Sequence, residues 1–168
     1  ITLTGAIDGA AGWVIRTADA INDDGLIVGG GSHAGASKPY MLVPADPLVC
    51  QTDLGFGGPG DATLSMCGEG LSTGQTSDVV LAGATPFVTS WLVLGLNNQP
   101  TPFKGGMLVP VPFVLTTPIP LDSMGAFSIP AVPGGGGPYT VYAQVAYPDP
   151  TQFASWGLSN ALEIEFGL

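Results

Sequence analysis

Apolar and polar residues alternate with a period of two along much of this chain, most plainly between Gly134 and Leu168. Tyr139, Val141, Ala143, Val145 and Tyr147 share one parity there, and Thr140, Tyr142, Gln144 and Ala146 share the other. That is the signature of a strand. Further on, Leu162, Ile164 and Phe166 point one way and Glu163 and Glu165 the other, so one face seeks a core and the other water. Pro148 and Pro150 open the loop between the two runs and remove amide donors, which stops the first strand.

Upstream, Ile1–Ile7 reads as a short strand closed by an Asp8–Gly9 turn. Trp13–Ile21 and Leu26–Val28 read as a pair joined through Asn22–Gly25, whose Asp24–Gly25 step supplies the positive φ of a tight hairpin. The Gly29–His33 run reads as a loop, Lys38–Pro44 as a strand, and Ala45–Pro47 as a linker. Strands are then predicted over 62–66, 78–82, 89–96, 106–111, 113–117 and 124–129, with Gln51–Asp61, Gly68–Ser77 and Asn97–Pro102 as turns and loops. No stretch shows a helical period. The expected fold is all-β: an Ig-like β-sandwich of about eight or nine short strands over residues 48–168, preceded by an N-terminal β-arm or hairpin over residues 1–47.

Charge changes the picture. Only 10% of the residues are Asp, Glu, Lys or Arg, against roughly 25% in an ordinary domain, and the mean hydropathy is +0.40. Gly, Pro, Ser, Thr and exposed apolar groups must therefore make up much of the surface, which favours burial against other copies. Val79–Leu96 lacks charge but carries Gly83, Thr85, Pro86, Thr89 and Ser90, and four prolines interrupt Met107–Leu121, so no membrane span is expected. A net charge of −10 with three cations opposes phosphate backbones, and nucleic acid is excluded as a partner. The acids are scattered, so they read as a solvating surface rather than a calcium loop. Cys50 and Cys67 form an even pair with no histidine cluster beside them; they read as a disulfide in an oxidising compartment, against a competing reading as a buried reduced pair. The chain starts at Ile1 without a signal-like segment, which reads as a processed or excised product.

Two resemblances add to this. Ala20–Gly29, followed by Pro39–Pro44, resembles a single HAF-type repeat of secreted bacterial proteins. Copies of that repeat usually follow one another, and one copy cannot bury its own faces. The portion from Cys50 onward resembles a C-terminal domain of secreted proteins of planctomycete-type bacteria, through Asp53–Gly60, Leu71–Gly74, Trp91–Leu96, Gly134–Pro138 and Gly157–Leu162. The resemblance implies secretion and a β-fold and carries no reaction.

Chemistry is sparse. His33, the only histidine, sits in a glycine run that lacks the Gly-x-Ser-x-Gly order and the phosphate-binding lysine. Glu163 and Glu165 lie about 7 Å apart along one strand, a spacing that a glycosidase pair or a plain solvent-facing edge would both give. No Asn begins a glycosylation sequon. The expected function is a non-enzymatic, extracellular structural protein without a cofactor or metal. It would assemble with copies of itself into a filament, sheath or surface layer, with strand addition by the N-terminal arm as the route. The alternative is a carbohydrate-binding or adhesion module that stacks extracellular polysaccharide on Trp91, Tyr142, Tyr147 and Trp156.

Overall fold

A computed structural model describes residues 12–23, 26–42 and 48–168. The expected strand at Ile1–Ile7, the Asp24–Gly25 step and the Ala45–Pro47 linker lie outside the described residues. The chain divides into two compact units, Ile1–Asp46 and Pro47–Leu168. All regular structure among the described residues is β.

In the first unit β1 (Trp13–Ile21), β2 (Ile27–His33) and β3 (Ala36–Leu42) form an antiparallel sheet in that order. Ile21 stands opposite Ile27 where the predicted hairpin turns, and Asn22 accepts the Leu26 amide at 2.8 Å through Oδ1. The Gly29–His33 run is the body of β2, not the loop its composition suggested. Several neighbours need bare backbone here: Tyr40, whose ring lies against Gly29 and whose hydroxyl donates to the Thr17 carbonyl at 2.6 Å, the Thr17 hydroxyl beside Gly30, and the Val14 carbonyl beside Gly31. A Cβ on Gly29 would overlap both partners of that bond.

The second unit is an antiparallel β-sandwich. One sheet runs β11 (Phe113–Pro120), β8 (Thr89–Gly95), β13 (Tyr139–Pro148), β15 (Ala161–Phe166), β5 (Thr52–Gly55), with β14 (Trp156–Leu158) also paired to β13. The facing sheet runs β12 (Phe127–Pro133), β7 (Thr76–Ala82), β6 (Thr63–Gly68), β4 (Val49–Cys50). A hairpin of β9 (Asn98–Phe103) and β10 (Gly106–Pro110) completes it. Twelve strands thus replace the expected eight or nine. The short β5 lies in a segment read as loop, β4 and β14 were not predicted as strands, and β9 falls in the segment read as a turn, where Pro100 and Pro102 interrupt it. Both prolines are tolerated because β9 pairs only with β10.

The two C-terminal strands keep the predicted parity. Val141 stands opposite Ile164 and Ala143 opposite Leu162, and all face the core between the sheets. Leu64, Met66, Val79, Leu81 and Phe127 meet them from the other sheet. The outer parity of β13 is also covered over part of its length. Gln144 and Ala146 are buried under the β9–β10 hairpin and β14, where Val93, Leu108 and Leu158 form a second cluster. Gln144 holds that layer together: Oε1 accepts the Val109 amide at 2.9 Å, and Nε2 donates to the carbonyls of Ser159 at 2.8 Å and Met107 at 3.1 Å. Asn160 joins the two sheets by exchanging bonds with both backbone groups of Leu64. Cys50 stands directly opposite Cys67 across β4 and β6, and the two form a disulfide.

Candidate functional site

Strand β13 starts at Tyr139 beside one end of the core and finishes at Pro148, so the sandwich has two ends of different character. At the far end three loops present large apolar side chains to solvent. Phe87 is 79% exposed, Met124 76%, and Phe153 fully exposed. These loops are built, not loose. Between β11 and β12, Asp122 Oδ1 accepts the amides of Met124 at 2.7 Å and Ala126 at 3.0 Å, and the Asp122 carbonyl accepts the Phe87 amide at 3.1 Å. Between β13 and β14, Asp149 accepts the Thr151 amide at 3.0 Å, the Thr151 hydroxyl at 2.7 Å and the Gln152 side-chain amide at 3.3 Å. The Ser155 amide closes that loop on the Gln152 carbonyl at 2.9 Å. Burial alone would raise the Asp149 pKa, but the bonds from Thr151 and Gln152 outweigh it and hold the carboxyl below its usual value.

At the near end a cavity of about 220 Å³ lies between the sheets. Leu92, Leu94, Ile129, Val132, Val141 and Phe166 line it and are only partly buried, so it is reached from outside. Tyr139 stacks on Phe166 with centroids 4.7 Å apart. The same two rings border a wider groove of about 680 Å³ that also takes in Gln51, Glu69, Gln75 and Glu165.

The sequence-predicted residues fall in several places. Trp91 and Trp156 do meet, with centroids 5.4 Å apart, and line an outer groove of about 230 Å³ with Phe103 and Phe113. Thr116 contributes the only hydroxyl of that groove. Tyr142 is on the same sheet face, opposite Glu163, and its phenol pKa is raised by burial and then by the carboxylates of Glu163 and Glu165. Tyr147 leaves the set: its ring belongs to the core, 1% exposed, with Gly157 and Gly60 packed so close that a Cβ on either would strike it. Glu163 and Glu165 point outward from β15, as the alternation required. His33 packs against Trp13 at 5.1 Å and has no described nucleophile bonded to it. No group of three or more His, Cys, Asp or Glu among the described residues could hold a metal ion. Phe87, Met124 and Phe153 were not singled out from the sequence; the available signal was a bulky apolar residue inside a segment otherwise made of turn formers.

No family model matches this chain, and no curated protein or solved structure matches it either.

Proposed function

We propose that this chain is a secreted, non-enzymatic structural protein that assembles with copies of itself into an extracellular filament, sheath or surface layer. The observation that carries the reading is the exposure of Phe87, Met124 and Phe153 on hydrogen-bonded loops at one end of the sandwich. An aromatic side chain held in place by its loop loses little entropy when a partner covers it. The scarcity of charge supports the same reading, and the disulfide and the resemblance to secreted HAF-type and planctomycete-type domains support secretion. Among the described residues β1 and β3 are the edge strands of their sheet, and such edges offer a route for strand addition to a neighbour. Negative-stain electron microscopy across a dilution series tests the proposal. Regular filaments or sheets, favoured by salt that screens the net charge of −10, are expected. Monodisperse particles of monomer size at every concentration would overturn it.

A second reading, polysaccharide binding, rests on the Trp91–Trp156 pair and its groove. Retention on insoluble polysaccharide that is lost in Trp91→Ala and Trp156→Ala supports it; passage of the wild-type chain through the column counts against it.

A further inference from the structure

Resting on the assembly reading, the geometry points to a head-to-tail contact in which Phe153 of one copy inserts into the apolar cavity between the sheets of the next. The two features lie at opposite ends of one strand. Tyr139, at the start of β13, lines the cavity, and Pro148, at its end, leads into the loop that carries Phe153. Ten residues of strand separate them by about 30 Å. A surface at one end that fits a surface at the other is a heterologous contact, and such contacts propagate into open filaments unless the rotation closes a ring.

Size and chemistry agree. An apolar cavity of about 150 Å³ is enough to take up benzene, and this one measures about 220 Å³ and is lined by aliphatic and aromatic side chains without a charge. The knob is as uncharged as the hole. Asp149, the one acid of its loop, is turned inward and occupied by Thr151 and Gln152, so no free carboxylate accompanies Phe153 into the cavity. On a protein of net charge −10 the uncharged knob and hole limit repulsion at the point of insertion, and salt that screens Glu69 and Glu165 in the adjoining groove and Asp122 beside Met124 favours the contact. Phe87 and Met124 leave the same end of the sandwich and would pack around the mouth of the cavity, where Tyr139 and Phe166 are stacked.

The test uses the full-length chain in three forms, by sedimentation velocity and negative-stain microscopy. Phe153→Ser removes the knob, and Leu94→Trp fills the hole. Each variant alone is expected to require at least about 30-fold more protein than wild type to assemble. Mixed in equal amounts they are expected to give dimers that grow no further, because each contributes the end the other lacks. If Leu94→Trp fails to fold, as judged by near-UV circular dichroism, Val132→Phe fills the same cavity from β12. Filaments formed by Phe153→Ser at the wild-type concentration would overturn the contact while leaving self-assembly intact. A wild-type chain that never assembles would overturn self-assembly itself. Phe153-dependent binding to neutral phosphatidylcholine vesicles by a chain that stays monomeric would assign the loop end to lipid and overturn both.

Discussion

The sheet of residues 13–42 and the sandwich that follows arise from the same alternating signal, and they spend it differently. In the sandwich a second sheet covers the inner parity, and Leu64, Leu81, Val145 and Leu162 disappear from solvent. Among the described residues of the three-stranded unit Tyr40 is the only large apolar side chain that becomes buried, while Val14, Ile21, Val28 and Met41 stay exposed. Alternation therefore specifies a strand, but only a facing layer makes a core. The largest expected effect breaks the molecule along that difference. Residues 48–168 alone are expected to unfold cooperatively in urea at the midpoint of the main transition of the full chain, and residues 1–47 alone to show no cooperative transition. A cooperative melt of the isolated N-terminal piece would end the comparison.

Within the sandwich the contrast sharpens around a fully buried polar anchor, Gln144, whereas the anchors described in the sheet of residues 13–42, such as the Tyr40 hydroxyl on the Thr17 carbonyl, lie nearer solvent. Gln144→Ala would leave the Val109 amide and the carbonyls of Ser159 and Met107 without their partner in a buried layer. A loss of about 4 kcal/mol in urea titration is expected. Removing the Cys50–Cys67 cross-link by double serine substitution is expected to cost less, about 3 kcal/mol. A cost below about 1 kcal/mol would place β4 outside the cooperative unit.

What could be read from the sequence divides along the same line. The parity of β13 and β15 was legible because one face of each meets a broad apolar core, and a slip of one residue would put Glu163 and Glu165 inside. The Gly29–Gly31 run was illegible as a strand because its causes lie on other strands: Tyr40 and Thr17 press on Gly29, and the Val14 carbonyl on Gly31. For Gln144 the sequence showed only its parity; the hairpin that covers it begins at β9, where Pro100 and Pro102 fall in a segment read as a turn. The candidate site suffered most. The pairing of Trp91 with Trp156 depends on β8 and β14 both flanking β13, which no local pattern encodes. Phe153 was legible only as an apolar residue in a turn, and its full exposure depends on the three bonds that Asp149 accepts.

The smallest predicted effect compares two tyrosines, one from each unit. Tyr40 donates its hydroxyl to the Thr17 carbonyl, whereas the buried Tyr147 Oη has no hydrogen-bond partner of good geometry. Tyr40→Phe is expected to destabilise the first unit by about 1 kcal/mol. Tyr147→Phe is expected to change stability at neutral pH by less than about 0.5 kcal/mol, since losing an unsatisfied hydroxyl offsets the small void left beside Gly60. Its effect lies in alkali. Burial, reinforced by the Asp149 and Asp61 charges and only partly offset by the backbone amides of Ala62 and Asp61, raises the Tyr147 pKa above its ordinary value. The folded chain then holds that proton more tightly than the unfolded one. The contribution is complete below the unfolded value of about 10 and is lost as pH rises through the folded value. Wild type should therefore lose stability more steeply above pH of about 10 than Tyr147→Phe, which urea midpoints taken from neutral into alkaline solution would show. Parallel curves for the two proteins would mean that the Tyr147 hydroxyl is reached by solvent and is not enclosed by the core.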